Sequence, residues 1–178
     1  MSTINLETYE NLFAGRETTF ARDLKLNLRR LLTEGALSQE EALLATLATA
    51  RSTGAKAIEV YAQGELVTLG TSADRVQEAQ ESAAIMGMLN TYYRFKHMVH
   101  NENDYKAAGL RMTGLAKPLL GKEHFEMLAF AVSIVNGCET CIRAHEKTLK
   151  DVGVPAEKLH DLARIAAVVK GLSGLLAE

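Results

Sequence analysis

An internal repeat constrains the fold of this 178-residue chain more than any other feature of its sequence. Residues 37–89, shifted by 83 positions, align without a gap on residues 120–172. The matching pairs are mostly alanines and glycines: Leu37/Leu120, Glu40/Glu123, Ala48/Ala131, Gly54/Gly137, Gly70/Gly153, Ala73/Ala156, Ala83/Ala166, Ala84/Ala167 and Leu89/Leu172. Backbone geometry and close packing constrain glycines after helices and alanines inside them. The agreement arises either from one helical unit used twice or from chance among helices rich in Ala and Leu, and the gap-free register favours the repeat.

Helical periodicity runs through nearly the whole chain, and no segment alternates convincingly in the manner of a strand. Four apolar side chains from Phe20 to Leu31 are spaced by four, four and three residues, as on one face of an amphipathic helix. Ser38 followed by Glu41 is a capping-box pattern that opens a helix ending near Thr53. The sequence therefore predicts an all-α fold.

Three further segments complete the predicted order of elements. A helix covers about residues 55–64, and a long helix follows a cap at Thr71 or Ser72. A polar, glycine-containing stretch at about 101–117 ends at Pro118 and is predicted to be a connection.

Charge and hydropathy exclude several classes of function. The 20 basic residues are dispersed among 22 acidic ones, so that nothing attracts a phosphate backbone and no nucleic-acid partner is expected. The N-terminus lacks a secretory signal, and no apolar stretch approaches the roughly 20 residues needed to cross a bilayer. We therefore expect a cytoplasmic protein without a membrane partner. In that compartment redox or metal chemistry explains two cysteines better than a permanent structural disulfide.

Both cysteines of the chain stand three residues apart in NGCETCIRAHEKTL, residues 136–149. The Asn-Gly pair before Cys138 ends one helix, and a new helix is predicted to begin there, with Cys141 and His145 following at one-turn spacings on the same side. The positive end of the helix dipole and an imidazole lower the pKa of a thiol from its usual value of about 8.5. A dithiol–disulfide catalyst needs this arrangement, in which one sulfur attacks, the other resolves and a base moves protons.

Other interpretations of the two cysteines are weaker. Haem attachment needs a histidine directly after the second cysteine, where this chain has Ile142. A structural zinc site needs four Cys or His ligands, and only three lie close in sequence. A thioredoxin domain shares the cysteine spacing but belongs with a βαβ pattern, which is absent. Two inert buried cysteines stay open as an alternative, because free cysteine often behaves as a small core hydrophobe.

Glu126 lies twelve residues before Cys138, within the apolar run FEMLAFAVSIV. Its carboxylate either lies on the solvent-facing side of the helix or is a buried group with a task, and spacing alone favours the solvent-facing position. If it turns inward, it orients His145 or takes a proton through water. His124 and Glu123 are predicted to lie in an ordinary exposed first turn.

The repeat assigns the chemistry to its second copy. Cys138, Thr140, Cys141 and His145 correspond, in that order, to Ala55, Ala57, Ile58 and Ala62. A purely structural requirement would be expected in both copies. We therefore predict a single domain of residues 1–178, in which an N-terminal scaffold repeat at about 37–98 precedes a C-terminal catalytic repeat at about 119–178.

The set Glu126, Cys138, Cys141 and His145, spaced as E-x11-C-x2-C-x3-H, resembles the signature of the alkyl hydroperoxidase D (AhpD) family, within the carboxymuconolactone-decarboxylase-like superfamily. The segment SAAIMGMLNTYYRFKHMV is similar to the family's long central helix, and the length and two-unit layout also match, so that essentially the whole chain is covered. The four-residue signature is specific, whereas the helical scaffold alone hosts unrelated chemistry. The resemblance implies an AhpD-like fold built from two repeated helical units.

The resemblance also implies an antioxidant alkyl hydroperoxide reductase. By analogy, Cys141 attacks the peroxide and becomes a sulfenic acid, and Cys138 resolves it as a disulfide. His145 and an inward-facing Glu126 form the proton relay. No cofactor is bound. The electron donor is a dihydrolipoyl group on the acyltransferase of a 2-oxo-acid dehydrogenase complex, itself reduced from NADH, and the family also reduces an AhpC-type peroxiredoxin.

One residue departs from the family pattern. Well-studied members have a histidine just before the second cysteine, where this chain has Thr140. A threonine hydroxyl cannot accept a proton at neutral pH as imidazole can, although it can hold a water. The relay is therefore expected to be shorter or to run directly from Glu126 to His145, which affects the rate and the preferred reductant but not the dithiol mechanism.

Two other functions are compatible with the scaffold. A redox-sensing interaction module would change its docking on oxidation and turn over little peroxide. A decarboxylase would have no use for a resolving thiol. The family implies a homotrimer, and Tyr92, Tyr93 and Phe95 either contribute to such an interface or cap the core between the repeats.

Overall fold

A computed structural model describes residues 4–177, and every regular element in that range is a helix. The eight α-helices are α1 (Leu6–Asn11), α2 (Thr19–Thr33), α3 (Gln39–Thr53), α4 (Lys56–Thr68), α5 (Ala73–Met98), α6 (Lys122–Val135), α7 (Glu139–Asp151) and α8 (Ala156–Leu175). The all-α prediction is confirmed. The outermost residues of the predicted domain 1–178, and part of the N-terminal stretch judged to lack a secretion signal, lie outside the described range.

Helices α3 and α6 form the centre of the core. All ten residues from Glu41 to Ala50 are buried in α3, and α6 is buried from Met127 to Ser133. α3 packs against α4, α5, α6 and α8, while α6 packs against α5, α7 and α8 as well. Small alanine side chains at these positions allow the helices to approach closely. In contrast, α7 buries only Cys141 and Leu149, so that it lies at the edge of the core with one face in solvent.

The two predicted units contain helices that start at equivalent positions. Helices α3, α4 and α5 start at residues 39, 56 and 73. Helices α6, α7 and α8 start 83 residues later in each case, at 122, 139 and 156. Gly54 and Gly137 both adopt a positive φ, of 73° and 65°, which a residue with a Cβ rarely adopts. The residue after each glycine donates its N–H to equivalent carbonyls, Ala55 to Ala50 at 2.9 Å and Cys138 to Ser133 at 3.1 Å. These equivalences support our prediction of two copies of one unit.

In helices α2 and α4 the structure differs from the sequence prediction. Phe20 is 82% exposed, because the buried face of α2 runs through Ala21, Leu28, Leu31 and Leu32 and Phe20 lies at its edge. Helix α4 continues past Gly64 to Thr68, because its last turn carries the buried side chain of Leu66.

Between α5 and α6 the predicted connection contains two short 3-10 helices, Glu102–Tyr105 and Thr113–Ala116. Its far end is attached to α5 through Glu78, whose carboxylate accepts the backbone N–H groups of Leu119, at 2.7 Å, and Leu120. This contact sets the position from which α6 starts.

The predicted capping box at the start of α3 is present and extends into an ion pair. Ser38 and Glu41 exchange side-chain and backbone hydrogen bonds, and Lys158 of α8 donates to Glu41 at 2.7 Å. Burial raises the pKa of Glu41, but the hydrogen bonds from Lys158 and from the Ser38 N–H outweigh it, so that the pKa lies below its ordinary value. The imidazole of His124, predicted to be simply exposed, is half-buried and lies 4.0 Å from this carboxylate.

We expect Glu41→Gln to lower the free energy of unfolding by about 1–3 kcal/mol at neutral pH, the usual contribution of a hydrogen bond to a charged group. Because the pKa is lowered in the folded protein, this stabilisation is present above the unfolded-state pKa and is lost as the pH falls through the folded-state pKa. Urea unfolding of wild type and variant between pH 7 and pH 3 measures it. The two curves should converge at the acid end, and a difference independent of pH would contradict the assignment. The exposed pair Glu139–Arg143 provides the control, since Glu139→Gln should change stability little.

Candidate active site

The two cysteines lie at the junction of α6 and α7. Helix α6 ends at Val135, Asn136 and Gly137 form the turn, and Cys138 is the N-cap of α7 in an extended conformation (φ −93°, ψ 91°). Cys141 is then the third residue of α7. The predicted helix start near Cys138 is confirmed.

Cys138 and Cys141 are joined by a disulfide, with their Cα atoms 5.3 Å apart. An N-cap and the third helical residue lie one turn apart on the same side, which places both sulfurs within bonding distance. Cys138 is fully buried, whereas 7% of Cys141 is exposed. Small as it is, that difference makes Cys141 the more accessible of the two residues.

Glu126 and His145 are brought together across the helix junction. Glu126 Oε2 lies 2.7 Å from His145 Nδ1, and each side chain is 17% exposed. The solvent-facing position that spacing alone favoured for Glu126 is therefore wrong, and the inward position that the family resemblance implied is present. The reason is that α7 folds back on α6 and covers the side of α6 that carries Glu126.

The Glu126–His145 contact defines the chemistry available to the imidazole. A carboxylate at Nδ1 favours the tautomer whose proton lies on Nδ1, which leaves Nε2 as a proton acceptor. His145 follows Cys141 by four residues, so that its ring projects from the same side of α7 as the cysteine. The structure therefore places an imidazole, held by a carboxylate, on the side of α7 that carries Cys141.

Thr140 lies next to the other sulfur. Its side chain is exposed on α7, and its Oγ1 lies 3.8 Å from Cys138 Sγ. The position at which the family has a histidine therefore borders Cys138.

The first unit carries only apolar side chains at the equivalent positions. Ala55, Ile58 and Ala62 are all buried, and Leu43, the counterpart of Glu126, is buried as well. The same turn and helix are thus built without sulfur, imidazole or carboxylate. The four polar and reactive groups of the second unit are not required by the fold.

Sequence reasoning missed two buried polar residues near the turn, Asn90 and Ser133. A serine within the apolar run AFAVSIV was a visible sign, because a buried hydroxyl needs a partner. Its partner, Asn90, lies 43 residues away in α5 and has no local signature.

Two other kinds of site receive no support from the coordinates. Among residues 4–177 no group of three or more His, Cys, Asp or Glu side chains is arranged to hold a metal ion. Within the same range, no helix combines the length and apolarity required to span a membrane.

The fold and the disulfide define a helical protein with a CxxC disulfide, and comparison with known proteins gives its family. A sequence profile of the carboxymuconolactone decarboxylase family matches residues 105–177, which include the whole of α6, α7 and α8. Relatives named alkyl hydroperoxide reductase AhpD align over most of the chain. That of Anaeromyxobacter dehalogenans (strain 2CP-C) is 44% identical over 158 residues, covering 84% of this chain and 80% of the relative.

Two further relatives of the same name give the same result. The protein of Mycobacterium tuberculosis (strain H37Ra) is 39% identical over 159 residues, which is 89% of each chain. That of Rhizorhabdus wittichii is 37% identical over 159 residues, covering 89% of this chain and 91% of the relative. The chain belongs to the AhpD family, within the carboxymuconolactone decarboxylase group.

Proposed function

We propose that the protein is an antioxidant alkyl hydroperoxide reductase that cycles Cys138 and Cys141 between dithiol and disulfide. The observation that carries the proposal is the disulfide at the start of α7, together with a Glu126–His145 pair whose imidazole projects from the same side of that helix as Cys141. The name of its relatives, alkyl hydroperoxide reductase, supports the same chemistry.

In the first step, Cys141 thiolate attacks the terminal oxygen of the peroxide. The O–O bond breaks, Cys141 becomes a sulfenic acid, and the alkoxide leaves as an alcohol after taking a proton. We assign the attack to Cys141 because it is the more exposed of the two cysteines.

In the second step, the Cys138 thiol attacks the sulfur of the sulfenic acid. The S–S bond forms, the S–O bond breaks, and the oxygen leaves as water. Cys138 is buried in contact with its partner, which suits a resolving thiol that never meets the peroxide.

His145 and Glu126 form the proton relay. Nε2 accepts the thiol proton as Cys141 is activated and returns it to the leaving alkoxide, while Glu126 stabilises the imidazolium that forms in between. With Thr140 in place of a histidine, the relay consists of these two residues only.

A dihydrolipoyl group resets the disulfide. One of its thiols attacks the disulfide, the second displaces the mixed disulfide, and lipoyl disulfide is released. The donor is the lipoylated acyltransferase of a 2-oxo-acid dehydrogenase complex, and an AhpC-type peroxiredoxin is a further partner to which the protein passes electrons. The protein itself binds no cofactor and acts in the cytoplasm.

The protein is also proposed to be a homotrimer. An exposed aromatic cluster at the end of α5 supports this: Tyr93 and Phe95 face solvent, and the Phe95 ring centroid lies 5.0 Å from that of Tyr105. These two side chains lie outside the buried core, and burial against a second copy would remove them from water.

The test is steady-state consumption of an alkyl hydroperoxide with dihydrolipoamide as the only reductant. The proposal predicts turnover that depends on dihydrolipoamide and is saturable in it, and little turnover with glutathione. If the protein instead consumes only one equivalent of peroxide, does not turn over and changes its binding to a partner, the result would favour the redox-sensing module.

We expect Thr140→His to raise the rate of disulfide formation severalfold at neutral pH. The substitution places an imidazole where the threonine oxygen now lies 3.8 Å from Cys138 Sγ, and a base there removes the proton of the resolving thiol. Stopped-flow measurement of disulfide closure after one equivalent of peroxide measures it. Thr140→Ala is the control and should leave the rate near that of the wild type, whereas an equal gain in both variants would contradict the explanation.

A further inference from the structure

A chain of side-chain hydrogen bonds lies behind the cysteine turn. Ser52 Oγ donates to Asn136 Oδ1 at 3.1 Å, and Asn136 Nδ2 donates to Asn90 Oδ1 at 3.0 Å. Asn90 Nδ2 in turn donates to Ser133 Oγ at 2.9 Å. Asn136 is the residue of this network closest in sequence to the cysteines, since only Gly137 separates it from Cys138.

The network is buried where it enters the core. Asn90 is 1% exposed and Ser133 is fully buried, and each has its partner within hydrogen-bond distance. A buried polar group is costly unless it is paired, so that such a network fixes one geometry of the groups that take part. It therefore joins α3, α5 and α6 at the point where the turn begins.

The backbone of the turn is held as well. Arg94 of α5 donates from Nη1 to the carbonyl oxygen of Asn136 at 2.9 Å. On the other side of Gly137, the Cys138 N–H donates to the Ser133 carbonyl at 3.1 Å. The position of Cys138 thus depends on contacts with helices outside its own.

The turn itself does not require the side-chain network. In the first unit, Gly54 forms an equivalent turn, and the counterparts of Asn136 and Ser133 are Thr53 and Ala50. Thr53 Oγ1 bonds only to carbonyls of its own helix, the nearer of them that of Thr49 at 2.9 Å. Asn136 therefore makes side-chain hydrogen bonds to two other helices, whereas its counterpart Thr53 makes its side-chain bonds only within α3.

We infer that Asn136 is a positioning residue for disulfide closure, supported by Ser52 and Asn90. It acts through the backbone of Cys138 and holds that residue where its sulfur reaches the sulfenic acid of Cys141. The inference rests on the proposed function, because closure is the second step of that cycle: an S–S bond forms, an S–O bond breaks and water leaves.

Asn136→Ala removes both side-chain hydrogen bonds of the turn to α3 and α5. Closure is expected to slow about tenfold, because small misplacements of a reacting group reduce the rate of an intramolecular reaction steeply. The rate of peroxide attack on Cys141 should stay unchanged. Dimedone, which traps sulfenic acids, should therefore label a much larger fraction of Asn136→Ala than of the wild type. In titrations with dihydrolipoamide, the equilibrium between disulfide and dithiol should lie further towards the dithiol in Asn136→Ala than in the wild type.

Three further variants distinguish the positioning of Cys138 from a general loss of stability. Thr53→Ala removes the side-chain hydrogen bonds that Thr53 makes within α3 and should label like the wild type. Ser52→Ala removes one of the two bonds and should give an intermediate effect, and Ser52→Thr keeps the hydroxyl and should restore wild-type behaviour. Ser52 and Asn136 line an open cavity of about 370 Å³, so that truncation leaves space that water can enter.

The outcomes distinguish the inference from the proposed function. If the wild type closes its disulfide while Asn136→Ala and Ser52→Ala label no more than Thr53→Ala, the inference is overturned and the proposed function stands. If the wild type forms no sulfenic acid and no disulfide, both are overturned. Should Asn136→Ala fail to fold, the comparison of Ser52→Ala with Ser52→Thr decides.

Discussion

Replacement of Cys141 by serine is expected to abolish peroxide consumption, with a loss on the order of 10³-fold or more. A serine hydroxyl at this position is not ionised at neutral pH and cannot become a sulfenic acid, so that the nucleophile itself is lost. Removal of a catalytic nucleophile in other enzymes has effects of this size or larger. The measurement is alkyl hydroperoxide consumption with dihydrolipoamide, for wild type and variant at the same concentration.

The matched variant is Cys138→Ser, which should behave differently. With Cys141 intact, it is expected to reduce about one equivalent of peroxide and then stop, because the sulfenic acid has no resolving thiol. Dimedone should label it at Cys141. Equal single-turnover reactivity in both variants would contradict the assignment of the two roles, and retained turnover in both would end the dithiol mechanism.

Glu126→Gln is expected to lower the rate of peroxide reduction by about 10²-fold, the lower end of the usual contribution of general acid–base catalysis. In the wild type, His145 Nδ1 lies 2.7 Å from the Glu126 carboxylate. Glutamine has the shape of glutamate and can still accept a hydrogen bond from that nitrogen. It cannot stabilise the imidazolium by charge. The fold should be unaffected, and the thermal midpoint should stay close to that of the wild type.

Two further variants test whether Glu126 and His145 act as a unit. Glu123→Gln changes an exposed carboxylate in the first turn of the same helix and should have no effect on the rate. His145→Asn alone and the double variant with Glu126→Gln should be slowed by similar factors, because residues of one relay are not additive. Fully additive losses would show that the two side chains act independently.

Local features of the sequence were sufficient to predict most of the helices and several of their ends. Ser38 and Glu41 form the expected capping box, and Gly54 and Gly137 take the left-handed conformation that ends a helix. These features depend on a few neighbouring residues, so that a short stretch of sequence contains the information. The end of α4 was missed because it depends on how Leu66 packs, which Gly64 does not indicate.

The candidate site was less accessible to local reasoning. The spacing of Cys138, Cys141 and His145 along one helix follows from the sequence, because a single helix fixes which side chains share a face. The direction of Glu126 depends on which side of α6 is covered by α7, a tertiary packing choice. Spacing therefore gave the wrong answer, and only the family resemblance pointed inward.

The hydrogen-bond network at the cysteine turn was even harder to predict from the sequence. Asn90 and Asn136 are 46 residues apart, and nothing in either neighbourhood indicates that they meet. The internal repeat supplies part of the missing information, since it shows which polar residues of the second unit have apolar counterparts in the first. Ser133, opposite Ala50, was detectable in this way.

The most direct test of the account is the state of the two sulfurs after one equivalent of peroxide. Fully reduced protein would be mixed with an equimolar alkyl hydroperoxide. One portion would be digested and analysed directly by mass spectrometry, and a second portion would first be treated with one equivalent of dihydrolipoamide. The account predicts a crosslink within one chain between Cys138 and Cys141, formed with loss of two hydrogen atoms and fully reversed by the dithiol. Cysteines that stay reduced, or that link only between chains, would contradict it.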